Sequence, residues 1–379
     1  MSYEETISFA EAPFEIIDGD RGKNYPKQSE FSETGYCLFL SATNVTKSGF
    51  DFATCQFIDQ KRDEALNKGK LRREDIVLTT RGTIGNTAYF NDVVPFEHLR
   101  INSGMVILRC DSSRLIPAFL YHFVRSPSFF SQVNGLRSGV AQPQLPIRDM
   151  RQNKLPLPPL PIQCRIAGIL SAYDELIENS QRRIKILESM ARALYREWFV
   201  HFRFPGHESV PRVPSAIGEM PQGWHIRTLG EIAEIVLGGT PSRGVSEYWE
   251  NGIIPWLKSG KLNDVRVIEG TELISHAGLA NSAAKLMPPK TVLVAITGAI
   301  LISESKMSGS AQQHINKEIV QQTAVLVPAE RIADSFCANV RPIYEQIRLS
   351  LLQIENLRRT RDQLLPRLLS GQIDVEAIA

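Results

Sequence analysis

The chain has 379 residues, of which 43% are hydrophobic and 22% charged, an ordinary composition for a globular protein with buried cores. This length favours two or more domains. The formal net charge of +2 argues against a stand-alone nucleic-acid-binding protein, whose surface is usually strongly basic, although local basic patches remain open.

The sequence shows no sign of secretion, of a membrane span or of a zinc site. The acidic N-terminal residues MSYEETISFAEAPFE lack the apolar core of a signal peptide, and no run approaches the roughly 18 apolar residues of a membrane helix. The five cysteines are scattered and form no CxxC pair, which favours a reducing compartment and argues against bound zinc. We therefore expect a cytoplasmic protein without a metal site.

Residues 1–160 are predicted to form a globular domain. Within it, DIVLTTRGTIG (75–85) is typical of a β-strand followed by a glycine turn. Arg81 stands beside that turn, where an arginine suits either a guanine edge or a phosphate; a plain surface turn is the alternative. The glutamines of SGVAQPQLP (138–146) suit adenine, and a polar loop is the alternative. The candidate DNA contacts of this domain are Asn44, Arg81, Gly82, Thr83, Gln142 and Gln144.

A long amphipathic helix is predicted next, over residues 161–200. The segment LPLPPLPIQ (155–163) is an extended lead, and its Pro161 suits the first helical turn. From Ile166 to Trp198 the apolar residues recur every 3.5 residues on average, which is the repeat of a coiled-coil seam. At ~1.5 Å per residue the helix spans roughly 50 Å, too long to bury one stripe against a small domain. A second helix is therefore expected as its partner.

The chain continues with a predicted linker and a second globular domain. Residues 201–224 are rich in proline and glycine, which is typical of a linker, and residues 225–331 form the second predicted domain. Its GGTPSR segment (238–243) is typical of a turn whose backbone N–H and hydroxyl groups suit phosphate oxygens, with a plain surface turn as the alternative. The candidate DNA contacts of this domain are Gly239, Thr240, Ser242, Arg243, Tyr248 and Lys258.

A second long helix is predicted over residues 332–370, in the register of the first. Adding 170 to each seam position of the first helix gives a second, mostly apolar series, in which Ser180 falls on Ser350. This favours a duplicated element over a chance alignment of two amphipathic helices. Arg361 interrupts the series, and Pro366 predicts a kink or a stop. The predicted seam consists of Ile166, Leu170, Tyr173, Ile177, Ser180, Ile184, Leu187, Leu194, Trp198, Phe336, Val340, Ile343, Ile347, Ser350, Ile354, Leu357, Leu364 and Leu368.

The two globular domains repeat less clearly than the helices. Gly82 matches Gly298 in TVLVAITGAI (291–300), and MVIL (105–108) matches AVLV (324–327), both at an offset near 220. Because the offset is 170 at the helices, the second half lacks about 49 residues, which we assign to the equivalent of 109–157. The second domain would then have no clear counterpart of SGVAQPQLP.

These elements predict an α+β fold with two globular domains separated by two long antiparallel helices. The helices would form an intramolecular coiled coil with pseudo-two-fold symmetry, followed by a tail at 371–379. A stiff spacer holds two recognition surfaces at a fixed distance, and DNA half-sites on one face of the duplex lie about 34 Å apart for each helical turn. Because the two domains differ in sequence, the prediction is a split, asymmetric DNA target whose gap is set by helix length.

No catalytic motif accompanies this architecture. The segment WLKSGKL (256–262) contains the Gly-Lys of a P-loop but not the rest of the motif. The sequence contains no HExxH, no GxSxG, no glycine-rich dinucleotide loop and no tetrapeptide of the kind that methylates amines. The chain is therefore predicted to be non-catalytic.

Three segments resemble the specificity (S) subunits of type I restriction-modification systems. They are the lead and first helix LPLPPLPIQCRIAGILSAYDELIENSQRRIKILESMARALYREWFVHF, the segment GWHIRTLGEIAEIVLGGTPSR with its following EYW and GIIPW, and the terminal ENLRRTRDQLLPRLLSGQIDV. The similarity covers nearly the whole chain. It departs from the pattern in the short second domain.

The resemblance implies a division of labour between subunits. Each globular domain would be a target recognition domain for one half of a bipartite DNA site, and the helices would dock two methyltransferase (M) subunits. Those subunits would carry S-adenosylmethionine and methylate adenine, and two restriction (R) subunits would use ATP and Mg²⁺ for translocation and cleavage. This chain itself would hold no cofactor. The alternatives are the specificity subunit of a modification system without a translocase, and a dumbbell-shaped scaffold that does not bind DNA.

Overall fold

The computed structural model divides into two compact units. We call residues 1–183 with 350–379 unit 1, and residues 184–349 unit 2. Both units mix helices and strands, in agreement with the predicted α+β class. Among the described residues, no helix is both long enough and apolar enough to cross a membrane. The residues that the structure describes are 6–22, 24–136, 144–258, 270, 272–289, 291–294, 316–370, 372, 373 and 375.

Unit 1 is built around a four-stranded antiparallel sheet. Its strands, in chain order, are β1 (Thr6–Ser8), β2 (Phe14–Asp18), β3 (Cys37–Leu40), β4 (Val45–Thr46), β5 (Gly49–Phe50), β6 (Phe57–Ile58), β7 (Ile76–Thr79), β8 (Thr87–Tyr89), β9 (Leu99–Ile101), β10 (Met105–Cys110) and β11 (Lys154–Pro156). The central sheet has the order β2-β10-β7-β8, and a second sheet has the order β6-β3-β9, with β3 and β9 parallel. The remaining pairs are β1 with β11 and β4 with β5.

The α-helices that begin in unit 1 are α1 (Gln60–Ala65), α2 (Pro117–Val124), α3 (Pro127–Leu136), α4 (Ile147–Met150) and α5 (Leu160–Tyr195), which continues as a π-helical turn, Arg196–Val200. Helices α2 to α5 contribute to the core on one face of the central sheet, and the residue after α1, Leu66, packs with the second sheet. Pro161 lies in the first turn of α5, as the sequence predicted.

Unit 2 contains smaller sheets and the start of the second long helix. Its strands are β12 (Arg212–Ser215), β13 (Gly218–Pro221), β14 (His225–Thr228), β15 (Ile254–Trp256), β16 (Glu272–Ile274) and β17 (Ala324–Val327). They pair as β12 with β13, β14 with β17 and β15 with β16. Its helices are α6 (Leu229–Ile232), α7 (His276–Ala280), α8 (Lys317–Gln321) and the start of α9 (Glu330–Leu369), which ends in unit 1.

The central sheet of unit 1 is buried on both faces at its middle strands, since every residue of β7 and the first four residues of β10 are buried. Successive side chains of a strand point to opposite faces. Ile76 and Leu78 of β7 therefore pack in the same core as Phe119 and Phe123 of α2, whereas Val77 packs on the other face with the side chains of β3. The sheet thus forms a rigid middle layer from which the loops of the domain extend.

The two long helices contact each other in an antiparallel sense within each unit. In unit 1 the start of α5, at Ile166 and Leu170, shares a core with the end of α9, at Leu365 and Leu368. In unit 2 the end of α5 contacts the start of α9, where the Trp198 ring lies 5.6 Å from that of Phe336. Every residue of the predicted seam is buried or half-buried.

Of the kink or stop predicted at Pro366, the stop is wrong, and the helix reaches almost to its predicted end at residue 370. Helix α9 continues to Leu369, one turn beyond the proline. Proline removes the N–H that would bond to residue 362 and crowds the carbonyl group of that residue, but the final turn is held by Leu365 and Leu368, which are buried in the core of unit 1. The apolar packing of this turn therefore outweighs the loss of one backbone hydrogen bond.

The segment 201–224, predicted to be a linker, contains folded elements. It contains the β12–β13 hairpin, and two of its aromatic residues, Phe204 and Trp224, are buried in one core with Trp198 and Ile332. The proline and glycine content that indicated a linker instead reflects the turns between these short elements.

Strand pairing reveals how the two domains correspond. Ser8 pairs with Lys154 in β1–β11, and Thr228 pairs with Ala324 in β14–β17, so the offset is 220 at the first strand and 170 at the second. Helix α8 is the counterpart of α4, since the two helices begin 170 residues apart. The pair β15–β16 corresponds likewise to β3–β6, and a side-chain-capped helix follows in both cases.

This correspondence corrects three predictions: the match of AVLV, the place of the missing residues and the lack of a counterpart of SGVAQPQLP. AVLV (324–327) is β17, the counterpart of β11, and not of MVIL in β10. The missing residues therefore lie before the equivalent of residue 138, and SGSAQ (308–312) repeats SGVAQ (138–142) at the offset of 170. Both of these segments, and Gly298, lie outside the described residues. The described part of unit 2 contains no counterpart of β10, α2 or α3.

His122 is a buried histidine between α2 and α5. Its Nε2 lies 3.0 Å from the Ser171 hydroxyl, and its Nδ1 lies 3.8 Å from a carboxylate oxygen of Asp174. Burial lowers the pKa of His122 to about 4; the carboxylate of Asp174 opposes this shift, and the cations Arg125 and Arg361 add to it. The imidazole is therefore neutral in the folded protein near pH 7.

The free energy of unfolding is expected to fall by about 2–3 kcal/mol as the pH drops from 6.5 to 4, through His122 alone. In this range the unfolded chain binds a proton at His122 that the folded chain does not, so the contribution is complete above the unfolded pKa and lost below the folded one. Urea unfolding followed by circular dichroism at several pH values measures it. A His122→Gln variant, which keeps a neutral polar side chain, should lose that much less over the same range; equal declines in both proteins would contradict the prediction.

Candidate nucleic-acid interface

The β7–β8 loop presents Arg81, Gly82 and Thr83 to solvent. Gly82 and Gly85 have φ angles of +70° and +90°, in the region that favours glycine. A Cβ at Gly85 would come within 2.5 Å of the Phe130 ring of α3, so only glycine fits there. The loop is thus fixed at its base, and Arg81 makes no side-chain hydrogen bond or ion pair to any described residue.

Two other segments of the first domain reach this loop. The backbone N–H groups of Thr80 and Arg81 donate to the carbonyl oxygen of Gly104 at 2.8 and 3.2 Å. The Leu145 N–H donates to the carbonyl oxygen of Thr80 at 3.0 Å, and Arg81 and Gln144 form a β-bridge. The structure therefore brings together two candidates, Arg81 and Gln144, that lie far apart in the sequence. Gln142 lies outside the described residues.

Arg21, which is not among the predicted contacts, lies in the same region. Its Nη2 donates to Asp18 Oδ1 at 3.0 Å and to the Ser103 carbonyl oxygen at 3.3 Å, one residue before Gly104. Backbone N–H groups of Gly22 and Asn67 hold the pKa of the neighbouring Asp20 below its usual value. The available signal was the glycine-flanked DGDRG turn after an apolar strand, and we add Arg21 to the candidate surface.

Asn44 differs from these residues because it is almost completely buried and so has little surface available to DNA. Its side chain is 2% exposed, its Oδ1 accepts from Ser41 N at 2.9 Å, and its Nδ2 donates to the carbonyl oxygens of Asp51 and Thr54. The carboxamide therefore organises the turn around itself. The expectation that Asn44 contacts DNA does not agree with this geometry.

In unit 2 the predicted contacts gather around two tryptophans. The indole N–H groups of Trp249 and Trp256 donate to the carbonyl oxygens of Ser242 and Gly239 at 3.0 and 3.1 Å. The Arg243 guanidinium carbon lies 3.6 Å from the centre of the Trp249 ring, and it lies 5.4 Å from the centre of the Trp256 ring. Such cation–π contacts hold the side chain in one place.

One carboxylate connects the two cations of this cluster. Arg243 and Lys258 both pair with Glu272, and their hydrogen bonds lower the pKa of Glu272 to about 2. Thr240 and Ser242 are exposed, and Tyr248 is half-buried, with its carbonyl oxygen accepting from Ser275 N. Gly239 packs so closely on Ala283 that a Cβ would lie 2.4 Å from it. The GGTPSR turn is therefore held in one conformation by the rest of the domain, and the Arg243 side chain is bound by neighbouring residues of the same domain.

Comparison with known proteins places the chain in a family. The family model described as the type I restriction modification DNA specificity domain matches residues 14–189 and 221–327, more than half of the chain. The chain belongs to this family. Its resemblance to S subunits, inferred from the quoted motifs, is thereby confirmed, and so is its assignment to a DNA-binding restriction system.

Named specificity subunits are similar over most of their length. The MjaIX specificity subunit of Methanocaldococcus jannaschii is 23% identical over 86% of both chains. The HindI specificity subunit of Haemophilus influenzae is 20% identical over 94% of this chain and 98% of its own. Among solved structures, an S subunit from M. genitalium is 14% identical, covers 96% of this chain and 95% of its own, and has a TM-score of 0.49.

Proposed function

We propose that this chain is the sequence-recognition subunit of a type I restriction-modification complex and that each of its domains reads one half of a bipartite, asymmetric DNA site. The observation that carries the proposal is the repeated strand pairing: β1–β11 and β14–β17 enclose two unlike domains in a chain of the specificity family. Because the enclosed loops differ, the two half-sites would differ as well.

The two long helices would set the distance between the half-sites. Helices α5 and α9 have 36 and 40 residues, or about 54 and 60 Å at 1.5 Å per residue. Their antiparallel contacts within each unit support an intramolecular coiled coil. A rod of this kind would hold the two reading loops one or more DNA turns apart and leave the bases between them unread.

The chemistry would belong to partner subunits. Two methyltransferase subunits would carry S-adenosylmethionine and methylate adenine in each half-site, and two restriction subunits would supply ATP- and Mg²⁺-dependent cleavage. Ile186 and Met190 on α5 are 61% and 52% exposed, and apolar side chains on a helix surface suit a protein partner. We place methyltransferase docking there, and the chain itself would hold no cofactor and catalyse no reaction.

Mapping of methylated adenines tests the proposal as a whole. The chain is co-expressed with its methyltransferase subunit in a host without other adenine methylation, and the genome is sequenced for modified bases. The expected result is one split motif with an unspecified gap, present only when both chains are expressed. Unmethylated DNA, together with no binding of duplex by the purified complex, would favour the scaffold alternative.

Replacing Arg81 by alanine is expected to weaken binding of the specific duplex by about 1–3 kcal/mol and to relax the preference at one base pair, if the side chain reads a base. Binding by the complex with the methyltransferase is measured by competition against duplexes changed at each position. The matched control is Arg203→Ala, which removes the same charge from an exposed residue outside both long helices. A loss that is equal on all sequences would assign Arg81 to a phosphate instead.

A further inference from the structure

One carboxylate in unit 1 connects the first recognition domain to both long helices. Arg125, the residue directly after α2, donates from Nη1 to Asp174 Oδ2 at 2.6 Å, and Arg361 of α9 donates from Nη1 to Asp174 Oδ1. Asp174 lies on α5, so three elements meet at this residue. Its side chain is 25% exposed, and those of the two arginines are less exposed still. Ion pairs that are largely shielded from water are sensitive to the loss of one partner.

A chain of contacts leads from this carboxylate to the candidate DNA-binding loop. The Arg125 guanidinium lies 4.6 Å from the centre of the Tyr121 ring, and Tyr121 stacks on Tyr89 of β8 at 5.3 Å. Strand β8 begins immediately after the loop that carries Arg81. The orientation of α2 on the helices is thereby coupled through packed side chains to the strand that supports the loop.

The duplicated helix pair does not repeat this cluster. At the offset of 170, Asp174 corresponds to Tyr344 and Arg361 to Ala191, and the described part of unit 2 contains no counterpart of α2. The antiparallel contact of α5 with α9 nevertheless occurs in unit 2 as well. The cluster is therefore not a requirement for pairing the helices, and its three members instead join the first domain to them.

We propose that Asp174 is a positioning residue: it fixes the first recognition domain on the helix pair and so determines where the Arg81 loop lies along the DNA. This inference rests on the proposed function, since it concerns the spacing of two half-sites. Asp174 does not itself contact DNA in this scheme. It acts through Arg125 and α2, and a change at Asp174 alters the preferred gap without altering the bases that are read.

The test measures the methylation rate of the reconstituted complex on duplexes whose gap is one base pair shorter than, equal to or one base pair longer than the natural gap. For Asp174→Asn we expect the preference for the natural gap over the altered gaps to fall at least five-fold, with the same half-site bases required. Glu178→Gln, one turn further along α5 on its exposed surface, is the matched control and should keep the natural preference. Equal slowing on all three gaps would show a merely structural role and overturn the inference.

A second variant covers the case in which Asp174→Asn does not fold. Arg361→Gln breaks only the link to α9 and leaves the Arg125–Asp174 pair in place, so we expect a smaller change of gap preference in the same direction. Hydrogen exchange of the α2 amides in the full chain should accelerate in either variant. Unchanged hydrogen exchange together with an unchanged gap preference would overturn the inference. A wild-type complex that methylates no split site would instead overturn the proposed function, and the exchange measurement would then decide the role of Asp174.

Discussion

Replacing Asp63 by alanine is expected to lower the free energy of unfolding of unit 1 by about 3–5 kcal/mol, because it leaves a buried cation without its counter-charge. Asp63 is 1% exposed and Arg100 is 4% exposed, and the Arg100 Nε donates to Asp63 Oδ1 at 2.5 Å. Lys70 donates to the other carboxylate oxygen. Burial opposes ionisation of Asp63, yet the bonds from Lys70 and Arg100 keep its pKa below the usual value, so the pair is charged when folded.

The tryptophan distribution allows this loss to be assigned to one unit. All four tryptophans (Trp198, Trp224, Trp249 and Trp256) lie in unit 2. In urea, the circular dichroism transition of unit 1 should move to lower concentration in Asp63→Ala, while the fluorescence transition of unit 2 stays in place. Glu64→Ala is the control, since this neighbouring carboxylate is exposed and should change stability by less than about 0.5 kcal/mol. An Asp63→Ala effect as small as that of the control would contradict the assignment of Asp63 to a buried ion pair.

Inserting one heptad into each long helix is expected to lengthen the gap in the methylated motif by about three base pairs. Seven residues add about 10 Å to a helix, and successive base pairs are 3.4 Å apart. The insertions belong between Ile177 and Ile184 in α5 and between Ser350 and Leu357 in α9, so that the antiparallel apolar layers remain matched. Methylation of the original motif should fall by more than 100-fold, because one reading loop would miss its bases.

The control for this experiment places the same seven residues at the turn between β12 and β13, around Ile217, which is exposed. That insertion leaves both helices at their natural length, and the motif should keep its gap. Sequencing of modified bases in cells that express each variant with the methyltransferase gives the gap directly. An unchanged gap after the paired helix insertion would contradict the role of the helices as a spacer.

The long helices could be predicted because their information is local. An apolar repeat of 3.5 residues recurs from Ile166 to Trp198 and again from Phe336 to Leu368, and each repeat requires a helical partner wherever the chain goes next. Ser180 and Ser350, the two small polar residues of the predicted seam, are both buried in unit 1, as their seam positions predicted. At Pro366 the proline pointed to a kink or a stop, whereas the repeat itself continued to Leu368, which is buried in the core of unit 1.

The strands were harder to place because short apolar runs look alike. AVLV fits any buried strand, and only its partner β14 shows that it replaces β11 and not β10. The candidate contacts depend on tertiary structure in the same way. Arg81 and Gln144 lie side by side because one β-bridge joins them. The Asn44 carboxamide points inward because it donates to backbone carbonyl oxygens of a loop. Residue type alone does not distinguish a side chain that reads DNA from one that organises a turn.

The β1–β11 ladder brings the entry and exit of the first domain side by side, and β14–β17 does the same for the second. Between these ladders the two domains differ by 50 residues, yet both ladders keep the same register. Because the two paired strands hold the ends of each domain together, the residues between them can be replaced by a segment of different length. Such a replacement leaves the strand pair and the long helices unchanged. In the proposed function, exchange of one such segment would change one half of the DNA target and leave the helix surfaces unchanged.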